Sequence, residues 1–511
     1  MPLSSNMCNW RQGPRSKQTT PGLLAAVLLG IGLALTPGQR ALGQSLNAYC
    51  QVSQAEASRK EALRKAAFDG DAAAQAEYQE LVQEHTRQLQ ACRNRVWPRK
   101  QAVWLRLYPC DLQPGILEAV LDRTVNLGYN QVYVEVFYGG QVLLPASENR
   151  TAWPSVVRAA GYENRDLFAE AIEKGRQRGM EVYAWMFTLN FGYSYGQRPD
   201  RQEVLARNGR GQDTLTFAKA NGSNSSEEVF VDPYHTQAHQ DYRRMLEAVL
   251  RRRPDGVLFD YVRYPRGAGA DSVADKVDDL WIYGPAARNA LFARALNRKG
   301  QELIRRYISR GHLINQDIEE MDELYPDERE PLWQSRVPFA TEELPPVNQQ
   351  RVILQQELWQ LTVAHAVQGV IDFLSQVTAP VQQQGIPAGA VFFPGGNQTV
   401  GTGGFDSRLQ YWDRFSQALS WHPMAYAICG HTGCILDGVR RVVEVAGTAT
   451  GEIVQPAIAG IWGRDTYNRP AIEVQMQAIR RAIPEINGVS HFAYSWQDPE
   501  FDRVRKFCQL P

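Results

Sequence analysis

The sequence predicts an α/β protein, a (β/α)8 TIM barrel with an N-terminal helical hairpin and a long insertion after the fourth strand. After Pro98, eight short apolar, β-branched and aromatic runs alternate with amphipathic segments. Strands separated by helices favour parallel pairing with both sheet faces covered, and the count of eight indicates a closed barrel. A doubly wound open sheet is the alternative, but no G-x-G-x-x-G phosphate loop follows the first strand.

The predicted strands and helices alternate along the chain. The strands are AVWLRLYP, QVYVEVFYGG, EVYAWMFTLN, GVLFDYVRYP, GAVFFPGG, HPMAYAIC, IVQPAIAGIW and VSHFAYSW, beginning at Ala102, Gln131, Glu181, Gly256, Gly389, His422, Ile453 and Val489. The helical runs are PGILEAVLDRTVNLG, NRDLFAEAIEKGRQRG, HTQAHQDYRRMLEAVLRRR, ELWQLTVAHAVQGVIDFLSQV, SRLQYWDRFSQAL and AIEVQMQAIRRA. We therefore assign residues 98–511 to the barrel.

Two long segments leave the C-terminal ends of predicted strands. Residues 266–350 follow the fourth strand and include the helical run PAARNALFARALNRKGQELIRRYI. Residues 190–229 follow the third strand, and we expect their GSNSSEE tip to be mobile. Because that end of a barrel carries the active site, we expect the insertion to form a lid or wall over it.

The first 43 residues have the pattern of a secretory signal peptide. Basic residues precede the 14-residue apolar run GLLAAVLLGIGLAL, and the small-residue site ALG ends at Gly43. The apolar run is shorter than the roughly 20 residues that span a bilayer. We predict a secreted or periplasmic protein, cleaved near Gly43 and without a stable membrane span; an uncleaved anchor is the alternative.

The charge balance argues against a nucleic-acid partner. The chain has 55 basic and 55 acidic residues, and cleavage after Gly43 would leave 51 basic residues against 55 acidic. A nucleic-acid binder normally carries a strong basic excess.

Six cysteines remain after the predicted cleavage, an even number that fits an oxidising compartment. Residues 44–97 predict two antiparallel helices that turn near Gly70, which brings Cys50 and Cys92 together at the open end. Cys429 and Cys434 bracket the tight loop GHTG. Elimination leaves Cys110 with Cys508. A metal site is the alternative for CGHTGC, but one histidine and two cysteines fall short of a ligand set.

The segment DGVLFDYVRYP, from Asp255 to Pro265, places an acid inside an apolar strand. By alternation, Asp260 shares its face with Leu258, Val262 and Tyr264, toward the catalytic end of the strand. A carboxylate there costs several kcal/mol unless it is paired or used. A buried ion pair with Arg263 is the structural alternative, but residues i and i+3 of a strand point to opposite faces. We favour a functional Asp260.

This segment resembles the "DGIHFDDYFYP" pattern of the glycosyl-hydrolase-like family 10, a family of (β/α)8 glycosidases. The likeness runs from about Val103 to Phe507: AWMFTLN is similar to the family's "AWxNP" region, and VFVDPYHTQAHQDYRRML to its "LDPGxPEVRxY" segment. Three departures stand out, since Tyr261 replaces the second Asp, AWMFTLN lacks the Pro, and PMAYA lacks the Gln of "PQIYW". The resemblance implies a glycosidase that acts on a polysaccharide.

Glycoside hydrolysis usually needs two carboxyl groups that flank the scissile bond. Asp260 is the first candidate, and Glu135 is the second because alternation places it with Tyr133 and Phe137 in the barrel, where it would raise the pKa of a neighbouring acid. Asp465 and Asp498 lie in loops where solvated acids are common. An N-acetyl group of the substrate could instead act as the internal nucleophile.

Sugar sites need flat apolar surfaces beside polar groups. Four aromatic residues lie near the C-terminal ends of predicted strands: Trp185, Tyr426, Trp462 and Trp496. Arg263, Asn190 and Tyr261 complete the predicted substrate contacts, with Arg263 suited to hydroxyls or to an acidic sugar. His235, His422 and His491 lack metal spacing, so we predict no metal and no cofactor.

Together these patterns predict an exported glycoside hydrolase with a glycan substrate. Two alternatives stay open: a catalytically inactive barrel that binds glycan, and an envelope scaffold that acts through the helical hairpin.

Overall fold

Eight parallel strands form the wall of a barrel, and all eight coincide with predicted strands. We number only these barrel strands. They are β1 (Lys100–Leu105), β2 (Gln131–Tyr138), β3 (Glu181–Phe187), β4 (Gly256–Asp260), β5 (Ala388–Phe392), β6 (Ser420–Ala425), β7 (Ala457–Ala459) and β8 (Gly488–Phe492). Each strand is mostly apolar and mostly buried, as is typical of strands covered on both faces.

The sheet closes because β1 pairs with two neighbours. Ala102 lies opposite Gln131 of β2, and Lys100 lies opposite Gly488 of β8. The remaining strands pair in sequence from β2 to β8. The predicted closed barrel is therefore confirmed, and the open-sheet alternative is wrong. A short strand, Gln141–Val142, returns antiparallel along the end of β2.

This computed structural model describes residues 47–220, 227–426 and 428–509. The predicted signal peptide, including the site near Gly43, lies outside these residues, and so does most of the GSNSSEE tip. No helix in the described ranges is long and apolar enough to cross a lipid bilayer.

The longer helices of the described residues surround the barrel or belong to its two additions. They are α1 (Gln54–Phe68), α2 (Ala72–Arg93), α3 (Ile116–Asn126), α4 (Leu167–Gln177), α5 (Thr236–Leu250), α6 (Pro285–Phe292), α7 (Arg298–Arg310), α8 (Asn315–Leu324), α9 (Val347–Gln383), α10 (Gly433–Ala446), α11 (Ile472–Ala482) and α12 (Pro499–Lys506). Shorter helices are Tyr193–Gly196, Thr214–Ala220, Thr450–Ile453 and Tyr494–Gln497.

One predicted helix is wrong. The run SRLQYWDRFSQAL forms loops around a single 3-10 turn, Trp412–Arg414. Its aromatic residues are drawn into the core, where Trp412 stacks on Phe392 with 4.9 Å between ring centroids. The Gln410 side chain accepts a hydrogen bond from the backbone N–H of Phe393. Tertiary packing thus overrides local helix propensity. The helix that follows β6, α10, was not predicted from the sequence.

The insertion of residues 266–350 is present and largely helical. It contains α6, α7 and α8, and the predicted single helix breaks between α6 and α7, where the Asn297 side chain caps the new N-terminus. Val273–Ala274 pairs with Gly404–Asp406, which pairs in turn with Thr399–Val400. This small sheet joins the insertion to the loop that follows β5.

The predicted helical hairpin and all three predicted disulfides are confirmed. A disulfide joins Cys50 to Cys92 at the open end of α1 and α2, with 5.7 Å between the two Cα atoms. The other two disulfides are Cys110–Cys508, across the ends of the barrel domain, and Cys429–Cys434, in the loop after β6.

A buried charge cluster attaches the hairpin to the barrel. Asp122 of α3 accepts hydrogen bonds from Arg178 Nε at 2.9 Å and from the hydroxyl of Tyr78 on α2 at 2.6 Å. Lys60 Nζ of α1 lies 3.9 Å from the same carboxylate. Burial lowers the pKa of Lys60 to about 8, and the charge of Asp122 partly offsets that effect. One carboxylate therefore lies between two buried cations from different elements and holds both by attraction.

We expect Asp122→Ala to destabilise the protein by about 3–5 kcal/mol, because removing one partner leaves buried charge uncompensated. Urea unfolding at neutral pH measures this loss. Asp437→Ala is the matched control, since that exposed acid lies 3.6 Å from Arg440 on α10 and should change the free energy of unfolding by less than about 1 kcal/mol. Equal effects of the two substitutions would contradict the role of the cluster.

Candidate active site

Asp260 is the last residue of β4 and lies opposite Phe187 of β3, at the C-terminal end of the barrel. The strand ends there because Tyr261 takes a positive φ of 54°. The expectation that Val262 and Tyr264 continue the face of Asp260 is therefore wrong. The hydroxyl of Tyr264 instead donates to a backbone carbonyl of α9, in the outer helix layer.

The carboxyl group of Asp260 is buried and hydrogen-bonded, with 7% of the residue exposed. Its Oδ1 accepts from the backbone N–H of Tyr261 at 2.6 Å, and Oδ2 accepts from Trp185 Nε1 at 3.1 Å. Burial raises the pKa of Asp260 to about 6, although both hydrogen bonds and the charge of Arg263 act in the opposite direction. An acid of this kind holds a proton in mildly acidic solution.

Arg263 lies near Asp260 but does not form an ion pair with it. Its Nη1 donates to the backbone carbonyl of Tyr264 at 3.0 Å. The guanidinium carbon lies 4.4 Å from the ring centroid of Tyr261 and 5.6 Å from that of Phe230. The alternative predicted from the sequence, a buried ion pair between Asp260 and Arg263, is therefore wrong for the described contacts of these two residues.

Glu135 lies one layer below Asp260, level with Trp185 in the strand register, and only 1% of it is exposed. One carboxylate oxygen forms an ion pair with Arg106. Burial would lower the pKa of Arg106, but the charge and hydrogen bond of Glu135 outweigh that and raise it. The charge of Glu135 also raises the pKa of Asp260, so the two acids are electrostatically coupled.

Phe137 does not share the face of Glu135. The pairing of β2 with β3 shifts register between Glu135 and Phe137, so a bulge reverses the alternation. The ring of Phe137 packs 4.7 Å from that of Trp153 and 6.3 Å from that of Tyr242 on α5. The expectation that it lines the barrel interior is wrong.

Two of the four predicted aromatic residues, Trp185 and Tyr426, lie near Asp260 at the open end, and Arg469 connects a third, Trp496, to Tyr426. Trp185 contacts the carboxylate directly. The charge of Asp260 contributes to raising the pKa of Tyr426, after the larger effect of burial. The ring of Trp496 lies 5.6 Å from the guanidinium of Arg469, which donates two hydrogen bonds to the carbonyl of Tyr426.

Trp462 lies elsewhere. Its Nε1 donates to the Tyr129 hydroxyl at 3.3 Å, and its ring packs against Tyr49 and His491 at 5.2 and 5.4 Å. His491 faces the helix layer, because its neighbour Ser490 accepts a hydrogen bond from Trp104 inside the barrel. The structure therefore places Trp462 on the outside of the wall, apart from Asp260.

Asn190 connects the two ends of the loop that follows β3. Its Oδ1 accepts from the backbone N–H groups of Gly192 and Val229, both at 3.1 Å. These contacts engage the amide oxygen in loop structure. The predicted substrate contact of Asn190 rests on its remaining NH2 group.

The other acids and histidines weighed from the sequence have structural contacts. Asp498 pairs with Arg123 at 2.7 Å, and Asp465 accepts from the backbone N–H of Ala471. Burial lowers the pKa values of His422 and His491 to about 3. Both rings are therefore neutral at physiological pH.

A contact that we did not predict joins Tyr261 to Glu228. The Tyr261 hydroxyl donates to Glu228 Oε1 at 3.0 Å. Burial, and then the charge of Glu228, raises the pKa of Tyr261 well above its usual range. In the sequence Glu228 looked like part of a mobile polar tip, and only its position directly before the apolar run VFVDP set it apart.

One cluster in the described residues has metal-ligand chemistry. The ligand atoms of Cys429, His431 and Cys434 lie within 4.8 Å of one another. The Cys429–Cys434 disulfide removes both thiolates, and thiolates are the form of cysteine that binds metal. His431 is then the remaining ligand, so the oxidised loop does not fit a metal ion.

Comparison with known proteins supports the family resemblance. Residues 101–280 match the model of the family described as Glycosyl hydrolase-like 10, as the fourth-strand pattern predicted. No curated protein sequence matches this chain.

Three solved structures are similar at low identity. The PgaB (BpsB) glycoside hydrolase domain from Bordetella bronchiseptica is 16% identical, with 80% of this chain and 98% of that chain covered and a TM-score of 0.46. The β-galactosidase from the psychrophilic Marinomonas ef1 is 12% identical, with 77% and 54% covered and a TM-score of 0.38. A Glycoside Hydrolase Family 20 β-N-acetylglucosaminidase is 9% identical, with 80% and 66% covered and a TM-score of 0.39.

We expect the stability of the protein relative to Asp260→Asn to fall as pH rises from 4 to 7. In the folded protein, the Asp260 carboxyl group keeps its proton up to pH about 6, whereas in the unfolded chain it loses the proton near its ordinary pKa of 3.8. Ionisation of Asp260 therefore opposes folding increasingly as the pH rises between these two values. The relative loss should reach about 2–3 kcal/mol. Urea unfolding of both proteins at unit pH intervals measures it, and parallel stability curves would contradict the raised pKa.

Proposed function

We propose that the protein hydrolyses glycosidic bonds in a cell-wall or extracellular polysaccharide and that Asp260 donates the proton to the leaving group. The observation that carries this proposal is a buried carboxyl group at the open end of a barrel, with a pKa of about 6. A general acid must hold its proton near the working pH, and burial of a carboxyl group achieves this. The glycosyl hydrolase-like match over residues 101–280 supports the same reaction class.

The surroundings of Asp260 support a sugar as the ligand. Tyr426 and Trp496 are partly exposed and offer apolar ring faces, on which sugar rings pack. Trp185 is buried and contacts Asp260 through its indole N–H. Tyr467 adds an exposed ring 5.6 Å from Trp496. A glycan that lies across these rings brings a glycosidic oxygen toward Asp260.

Glu228 is our candidate for the second carboxylate. It is half-buried, and it holds the hydroxyl of Tyr261, the residue at the position where the family pattern has its second Asp. Glu135, the second acid in our sequence-based hypothesis, is buried beneath the site, and its free oxygen Oε1 has no partner among the described residues. Its burial supports a positioning role, in which its charge helps to keep Asp260 protonated.

The proposed location is outside the cytoplasm, secreted or periplasmic. Three disulfides support an oxidising compartment. With the signal sequence proposed for residues 1–43, the mature protein would consist of the hairpin of residues 44–97 and the barrel of residues 98–511.

A barrel that binds glycan without cleaving it is the second candidate. The observation that favours it is Tyr261, which removes one acid from the family pattern. This candidate predicts binding without turnover by the native protein.

We expect the native protein to release reducing ends from fragmented peptidoglycan or from an exopolysaccharide. Asp260→Asn should lower turnover by about 10²–10⁴-fold, the usual contribution of a general acid, and should retain binding. The rate should fall as pH rises through about 6, because Asp260 loses its proton there. Binding without release of reducing ends by the native protein would favour the inactive barrel.

We expect Glu228→Gln to lower turnover by at least about tenfold, because it removes the proposed second carboxylate. Glu227→Gln is the matched control, since this neighbouring acid is exposed. Glu135→Gln should shift the falling limb of the pH–rate profile to lower pH. Full activity of Glu228→Gln, together with cleavage confined to N-acetylated glycans, would assign the second role to the substrate's acetamido group.

A further inference from the structure

Among the residues that the structure describes, Arg263 and Arg469 are buried at the open end of the barrel without a carboxylate partner. Arg263 follows β4, Arg469 follows β7, and each is 8% exposed. In the described part of the chain, neither lies within ion-pair distance of an acidic side chain. Removing a guanidinium from water is costly unless hydrogen bonds or an opposite charge compensate for it.

The contacts of Arg263 leave most of its hydrogen-bonding capacity unused. A guanidinium has five N–H donors, and the described contacts engage only Nη1, with the carbonyl of Tyr264. The rings of Tyr261, Phe230 and Phe393 surround the cation at 4.4 to 5.9 Å. Those rings stabilise the charge and orient the fork, but they accept no in-plane hydrogen bonds.

Arg469 is held more firmly, yet it also meets only neutral groups. Nε and Nη2 donate to the carbonyl of Tyr426 at 3.2 and 3.0 Å, and Nη1 donates to the carbonyl of Tyr467 at 3.4 Å. Its position is therefore fixed between the loops that follow β6 and β7. Within the described ranges, no carboxylate lies at ion-pair distance from its positive charge.

Other buried arginines in the described residues have carboxylate partners or a fuller set of hydrogen bonds. Arg505 makes a bidentate pair with Asp111, and Arg408 makes one with Asp406. Arg93 has no acid but donates four hydrogen bonds to three backbone carbonyls. The charge of each of these three arginines is thus compensated by a carboxylate or by several hydrogen bonds, whereas Arg263 has one hydrogen bond.

The acids around the site do not balance these two cations at a pH below about 6. Glu135 is neutralised by Arg106, and Asp260 is protonated at a pH below about 6. Glu228 remains, with its carboxylate on the Tyr261 hydroxyl. Below pH about 6, the two guanidinium groups therefore outnumber the carboxylates among these described residues, and above it Asp260 supplies a second negative charge.

We propose that Arg263 and Arg469 select a polysaccharide that carries carboxylate groups, such as a glycan containing uronic acids; this inference rests on the proposed function. The planar fork of arginine matches a carboxylate with two parallel hydrogen bonds. β5 and β6 separate the two strands that the arginines follow, and in this proposal each arginine binds a different sugar. Recognition therefore requires carboxylates on at least two sugars of the chain.

The test measures binding by calorimetry in an Asp260→Asn background, which prevents turnover. The probes are hexasaccharides of galacturonic acid and of hyaluronan, each compared with its carboxyl-reduced neutral counterpart. We expect at least one acidic probe to bind about tenfold or more tightly than its neutral form, and raising the salt concentration should weaken only the acidic probe.

Substitution then assigns the preference to the two side chains. Arg263→Gln and Arg469→Gln should each lower the preference for the acidic probe by about tenfold, whereas Arg263→Lys should retain part of it because the charge remains. Arg243→Gln is the matched control, since that side chain is 75% exposed on α5. Circular dichroism establishes that each variant is folded.

Equal binding of acidic and neutral probes would overturn the inference, and so would an unchanged preference in both glutamine variants. The inference would be contradicted, and the proposed function would remain, if the protein cleaved neutral glycans in an Asp260-dependent reaction and showed no preference for acidic ones. Arginine-dependent binding of an acidic probe that the native protein never cleaves would support the inference and contradict the hydrolase.

Discussion

Exclusion of water from the carboxyl group of Asp260 is the constraint on which the rest of the site depends. Closure of the barrel directs this side chain inward, and Trp104, Tyr133 and Trp185 fill the layers beneath it with ring contacts of 4.8 to 5.0 Å. Little solvation remains for an ionised carboxylate, so the neutral acid is favoured. Glu135 strengthens this preference from below because Arg106 keeps it in place as a buried anion.

Compensation of buried charge also organises the molecule outside the site. Asp122 joins the hairpin to the barrel by attracting cations from two elements, and Asp111 joins α12 to the segment after β1 through Arg505. The open end differs, because Arg263 and Arg469 lie there without anionic partners among the residues that the structure describes. Arg469 is compensated by hydrogen bonds to backbone carbonyls, whereas most N–H groups of Arg263 remain available to a ligand.

Much of the fold could be predicted from periodicity. The eight strands were recognisable because burial on both faces demands continuous apolar runs, and the hairpin because its two cysteines are almost equidistant from the turn at Gly70. The helix expected after β5 was wrong because Trp412 is drawn into the aromatic core beside Phe392. The site was partly predictable: Asp260, Trp185 and Tyr426 come together, whereas Trp462 packs outside the wall.

The sequence by itself determined the strand count, the parallel order and the place of Asp260 toward the C-terminal end of the fourth strand, because alternation and burial are local properties of the chain. Only the tertiary structure decided which groups surround that acid. A bulge turned Phe137 outward, a positive φ at Tyr261 ended the strand, and the loop after β3 brought Glu228 to Tyr261. The bulge and the Tyr261–Glu228 hydrogen bond depend on residues that are distant in sequence, so no local sequence pattern encodes them.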